Sequence, residues 1–253
     1  MFKKLGVIGG ALAILAVGAA TAADWSLVQD DMKFMREEEK LARDVYANLY
    51  DFHLANGLTL TVCDNIAYSE QRHMDAMKQL LDKYGIEDSA VDGGQGTYPV
   101  SCLDPECTFN NTGLGDLYTK LVADGKLSGL GTLLVGGLIE EVDMFDLAEA
   151  IATAEGYADI QGVYDNLLCG SGNHLRAFAH NIELATGESY IDASAAYVSD
   201  FGIRPEVGTE AYDAYVASLN AILAAPMEHC DSGAARPQPM GVPPQARPFR
   251  GGR

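Results

Sequence analysis

Residues 63–85 read CDNIAYSEQRHMDAMKQLLDKYG, and the helical phase of this stretch decides the fold. At roughly 100° per residue, Cys63, Ile66, Ala67, Met74, Met77, Leu81 and Tyr84 fall within roughly 60° of Glu70, and His73 shares that face. A glutamate and a histidine therefore sit in the middle of an apolar stripe. Carboxylates are rarely buried unless something pairs with them. The i, i+3 spacing stacks both side chains on one face, so both reach one ion or two adjacent ions.

Three more segments repeat the anomaly. In EEEKLARDVY, residues 37–46, Phe34, Met35, Leu41, Ala42, Val45 and Leu49 cluster within roughly 60° of Glu38. Glu38 is thus expected to be the inward member of the run. Glu37 and Glu39 swing to about 100° on either side as surface charges, with Glu39 set to pair with Arg43 at i, i+4. In LLVGGLIEEVDMFDLAEAI, residues 133–151, Glu140 lies among Leu133, Gly136, Gly137, Met144, Leu147 and Ile151, and Asp143 repeats the i, i+3 relation. In VYDNLLCGSGNHLRAFAHNI, residues 163–182, His174 shares a face with Leu167, Gly170, Ala177 and Phe178. Ser171 stands three residues earlier, where a carboxylate would have completed a second Glu-x-x-His pair. Tyr46, roughly 80° from Glu38, is a hydrogen-bond donor for the constellation. Few basic residues share these faces, so cations are the simplest partners for four inward carboxylates.

Proline placement gives the organisation. None occurs in 1–98 or 106–204, and five of the nine fall in 237–248. Long helices fit the gaps and are predicted at 26–54, 59–84, 129–154 and 159–186, with shorter ones at 113–124 and 208–224. Residues 85–112, rich in Gly, Asp and Asn, form a long crossover between the second and third long helices. The expected fold is all-α, a four-helix bundle with accessory helices.

The ends read differently. Residues 1–22, with Lys3 and Lys4, an apolar stretch from Leu5 to about Ala20 and a small-residue site before Ala23, read as a signal peptide, with an uncleaved anchor as the alternative. The bundle domain then spans 23–230, and 231–253 is expected to be a disordered Pro/Gly/Arg-rich tail. Its four arginines contrast with an acidic body, so an anionic surface is its alternative partner. The formal charge of −19 becomes −21 once Lys3 and Lys4 are removed, which argues against a nucleic-acid partner. Five cysteines in an exported, periplasmic or extracellular chain imply disulfide pairing. Cys102 and Cys107, flanking a turn-like insert, are the expected bridge, and the other pairings stay open.

With EEEKLARDVY, NIAYSEQRHM, GGLIEEVDMFDL and GSGNHLRAF in this order, residues 30–200 resemble an uncharacterised ferritin-like domain family of bacteria and archaea. The resemblance implies a ferritin-like bundle with a central metal site. Under the broader ferritin-like pattern Glu38 is a terminal ligand, Glu70 a bridging ligand, His73 and His174 the imidazoles, and Glu140 the carboxylate of the third long helix. Ser171 departs from that pattern, and Asp143 is the carboxylate that compensates or supports. The expected metal set is therefore Glu38, Glu70, His73, Glu140, Asp143 and His174, holding iron, two ions, or manganese. The expected activity is a di-metal oxidoreductase acting on dioxygen, peroxide or ferrous iron, in a monomer or homodimer. The alternatives are a non-catalytic module with a structural metal, and metal storage or delivery.

Overall fold

A computed structural model describes residues 24–90, 108–227 and 230. Among them there are seven helices and no strands. They are α1 (Trp25–Ala55), α2 (Thr61–Tyr84), α3 (Thr112–Gly125), α4 (Gly129–Thr153), α5 (Ala158–Thr186), α6 (Tyr190–Ser199) and α7 (Glu210–Ala224). The expected signal segment, most of the crossover, the Cys102 and Cys107 pair and the tail lie outside the described residues. None of the described helices is long and apolar enough to cross a membrane.

The boundaries follow local chemistry. Asp24, Asn111, Ser128, Ser189 and Thr209 each turn a side-chain oxygen onto an otherwise unbonded N–H at the start of a helix. Gly85 ends α2 in the left-handed region at φ 65°, a conformation that costs a glycine little. The helix α6 has no counterpart among the predicted elements. Its ten residues are too few to build a clear apolar period, and its stability comes from burying Tyr190, Ile191 and Val198.

The helices α1, α2, α4 and α5 enclose one interior: α1 packs on α2 and α4, and α5 packs on α4 and α2. The shorter α3 covers α1 and α4, while α6 and α7 cover α5. Apolar side chains from all seven form one continuous core. Trp25, Tyr84 and Tyr157 close one end, with ring centroids 5.0 Å apart in both pairs involving Trp25.

Enclosure of α1 overturns part of the helical-phase reading. Every residue from Phe34 to Leu49 is buried. Because three helices wrap α1, it has no solvent face in this stretch on which Glu37 or Glu39 could be a surface charge. Arg36, Lys40 and Arg43 are buried too, contrary to the expectation that few basic residues turn inward. Their own partners occupy them: Arg36 binds Asp88 and the Met74 carbonyl, Lys40 binds Asp44, and Arg43 binds Asp44 and Gln71.

Glu141, adjacent to an expected ligand, is fully buried and anchors the accessory helices. It accepts from Arg204 at 2.8 Å on each oxygen, from Tyr190 at 2.6 Å and from Tyr215 at 2.5 Å. Removing one partner of such a group strands the other charge. Glu141→Ala is expected to lower folding stability by roughly 3–5 kcal/mol, measured by urea denaturation.

Candidate metal centre

Four helices send acids and imidazoles to one point inside the bundle. Glu70 and His73 come from adjacent turns of α2, Glu39 from α1, Glu140 and Asp143 from α4, and Ser171 and His174 from α5. All except His73 are buried, and the His73 side chain is only 12% exposed.

The two oxygens of Glu70 divide the site. Oε2 lies 2.7 Å from His73 Nδ1, which is itself 3.2 Å from Glu39 Oε2. Oε1 lies 2.6 Å from His174 Nδ1, which is 3.4 Å from Glu140 Oε2. Glu39, Glu70 and His73 form one three-ligand group of metal-binding size, and Glu70, Glu140 and His174 form a second. The two imidazoles stack with centroids 5.4 Å apart.

His73 Nδ1 and Glu39 Oε2 are hydrogen-bonded, but His174 Nδ1, on the other side of the site, is not. Glu70 Oε1 and His174 Nδ1 are close neighbours, yet each is buried without an aligned hydrogen bond. Glu39 Oε1 and Asp143 Oδ1 are likewise buried without one. Such groups cost a few kcal/mol each when left unsatisfied, so a converging set of them marks a place for a cation.

Supporting contacts fix the set. Tyr46 donates to Glu140 Oε1 at 2.6 Å, as the donor role read from the sequence requires. Ser171 Oγ lies 2.5 Å from Asp143 Oδ2 and 2.9 Å from the Leu167 carbonyl. Asp143 thus stands beside the two groups, held from the position where a carboxylate on α5 would have been. Gly170 supplies room, because a Cβ there would come within 2.6 Å of His73 Nε2. Gly136 and Gly137 do the same for the Phe178 and Tyr190 rings.

The expected ligand Glu38 is not in either group. Its carboxylate faces Asp146 and Asp143 on α4, beside a small apolar recess lined by Leu41, Leu114, Leu121 and Val142. Glu39 is the glutamate of the run that stands in one of the groups. Arg43, its expected partner, is engaged elsewhere, and Glu37 accepts the backbone N–H groups of Asn110 and Asn111 at 2.6 and 3.0 Å. One signal separates Glu39 from Glu38: Tyr46 lies seven residues after Glu39, about 20° away in phase, so the tyrosine marks the face of Glu39. Glu70, His73, Glu140 and His174 do come together, with Asp143 adjacent. His53 lies apart, bonded to Thr132 and the Gly125 carbonyl.

Protonation shows how poorly protein alone satisfies the cluster. Burial drives Glu39 up to about 8 and Glu140 up to about 7, with Glu70 adding repulsion in both cases. Burial also opposes ionisation of Glu70, but the His174 and His73 charges hold it well below the usual carboxylate range. Burial likewise opposes charge on His174, yet Glu70 and Glu140 raise it to about 9. Four carboxylates and two neutral imidazoles would be balanced in charge by two divalent ions.

On the side of the imidazoles, a cavity of about 770 Å³ opens between α2 and α5. Ser69, Arg72, Asn166, Asn173, Met227 and Cys230 line it together with His73 and His174. A disulfide joins Cys169 to Cys230, and Cys63 is a buried free thiol.

These ionisations have a signed consequence. Groups raised in the folded state, Glu39 and Glu140 from 4.5 and His174 from 6.5, stabilise the fold below those ordinary values and lose that contribution as pH rises through about 7 to 9. The metal-free protein is therefore expected to melt at progressively lower temperature between about pH 6 and pH 9. The depressed Glu70 acts in the opposite sense, losing its contribution as pH falls below 4.5. Calorimetry across this range checks the slope.

Residues 28–202 match a family described as an uncharacterized protein domain (DUF2202). An uncharacterized protein of Methanocaldococcus jannaschii, MJ0754, is 45% identical over 144 residues, which cover 57% of this chain and 69% of that protein. The crystal structure of hypothetical protein MJ0754 from Methanococcus jannaschii superposes with a TM-score of 0.61 at 32% identity, over 84% of this chain and 99% of the other. The matched stretch carries every side chain of the two ligand groups. The chain belongs to the DUF2202 family of uncharacterised proteins.

Proposed function

We propose that this protein is an exported, ferritin-like carboxylate protein that binds two iron or manganese ions and reacts with peroxide, dioxygen or ferrous iron. The observation that carries the reading is Glu70, whose two oxygens each face a separate imidazole and a separate second carboxylate. A bridging carboxylate between two histidine-and-carboxylate groups suits iron and manganese, which favour mixed oxygen and imidazole donors.

Helix direction supports the ferritin-like topology. Contacts between Glu39 and His73 and between Arg36 and Met74 run α2 antiparallel to α1. Asp143 with Ser171, and Gly136 with Phe178, do the same for α4 and α5. Tyr46 reaching Glu140 and His53 reaching Thr132 make α4 antiparallel to α1. The second and third long helices therefore run the same way, as in a bundle with a crossover connection.

In the working site Glu39, Glu70 and His73 would hold one ion, and Glu70, Glu140 and His174 the other. Iron or manganese held there would supply redox chemistry toward an oxidant. The chain's own residues keep the donors in place: Tyr46 fixes Glu140, Ser171 fixes Asp143, and Gly170 lets His73 approach α5. The cavity at the imidazole edge, lined by Ser69, Arg72, Asn166 and Asn173, gives a polar solute such as peroxide a route to the histidines. Its presence also distinguishes the site from a sealed structural ion. The Cys169–Cys230 disulfide supports an oxidising compartment.

Elemental analysis of protein loaded with ferrous or manganous ion is expected to give two ions per chain. Glu70→Ala is expected to lose both, Glu39→Ala one, and Glu38→Ala neither, with peroxide consumption falling in the first two. A loaded wild-type protein without bound transition metal, or full metal retention in Glu70→Ala, overturns the reading. Gly170→Ala is expected to push His73 aside and weaken metal binding by about tenfold or more, measured by competition with a chelator.

A further inference from the structure

The peroxide reading leaves a reductant unnamed, and the cavity wall contains a disulfide. Cys230 lines the same cavity as His73 and His174. Its disulfide partner Cys169 immediately precedes Gly170, the residue against which the His73 ring rests. The sulfur is also in a polar setting. Asn173 Nδ2 donates to Cys230 Sγ at 3.2 Å, and Arg176 holds the Asn173 carbonyl at 2.6 Å. An amide donor backed by a guanidinium favours a thiolate over a thiol when the bond is reduced. A tether that only fastened the segment after α7 to α5 would not need to face the metal-side cavity.

We propose that Cys169 and Cys230 form a redox couple that supplies electrons for peroxide reduction at the neighbouring centre. The inference rests on the function proposed above. One peroxide and two thiols give one disulfide and two waters. The O–O bond breaks, the S–S bond forms, two electrons pass from sulfur to oxygen, and the two thiol protons complete the water molecules. An external dithiol of the surrounding compartment restores the pair by thiol–disulfide exchange.

The test uses the full mature chain, reduced, freed of reductant and loaded with ferrous ion. One equivalent of hydrogen peroxide is added, and closure of the Cys169–Cys230 bond is followed by thiol alkylation and mass spectrometry. Closure is expected to be about tenfold or more faster than in the Glu70→Ala variant or in metal-free protein. Equal rates in all three overturn the proposal and make the disulfide a tether. In a second arm, Cys230→Ser is expected to keep two ions per chain but lose peroxide turnover sustained by dithiothreitol. Unchanged turnover in that variant also overturns the proposal. Should Cys230→Ser fail to fold, Asn173→Ala gives the same discrimination, with slower closure expected and an unchanged rate counting against it. Failure of metal binding itself removes the proposed function. Bound metal and peroxide consumption without thiol oxidation remove only the redox couple.

Discussion

The bundle is organised around the difficulty of holding several carboxylates in a dry interior. Glu39, Glu70, Glu140 and Asp143 converge with two imidazoles, while the ion pairs of the neighbouring Arg36, Lys40 and Arg43 go to Asp88 and Asp44. Three bases lie buried on the same helix as Glu39, but Asp44, Asp88 and Gln71 occupy them. Buried charge of one sign without a counter-charge is among the costliest arrangements a fold can contain. Protons relieve it in the metal-free chain, which is why Glu39 and Glu140 are pushed upward. Bound cations would relieve it more completely, because they would also satisfy lone pairs that no hydrogen bond reaches.

The consecutive glutamates 37, 38 and 39 show how one enclosed helix serves three neighbours. Glu37 secures the approach to α3, Glu38 faces α4, and Glu39 faces α2. Each acid points about 100° from the next, so a helix covered on three sides must give each a separate environment. The same logic separates Glu140 from Glu141. Glu140 turns into the centre, whereas Glu141 ties α6 and the Arg204 segment to α4.

The site is asymmetric in its surroundings although its ligand groups match. Apolar side chains and α3 cover the flank near Glu38, and a polar cavity opens on the flank of the histidines. Nδ1 of each imidazole faces Glu70, and the opposite edge of the His73 ring rests against Gly170. The cavity, the disulfide and both imidazoles therefore lie on one side of the bundle.

Much of this was legible in the chain itself. Glu70 and His73 stand out because an i, i+3 pair interrupts an otherwise apolar stripe, and the same reasoning places Glu140 and His174. The long helices follow from proline-free runs with apolar period, and their observed limits lie within two residues of the expected ones. The choice among Glu37, Glu38 and Glu39 did not follow, since hydrophobic phase distinguishes faces only when one of them meets water. Nor did the burial of Arg36, Lys40 and Arg43, the helix at Tyr190–Ser199 or the pairing of Cys169 with Cys230. Local sequence determined which segments are helical and which carry ligand-type side chains, because both depend on backbone period and residue chemistry. Tertiary packing alone decided which acid meets which histidine, because that depends on how many neighbours surround each helix and in which direction they lie.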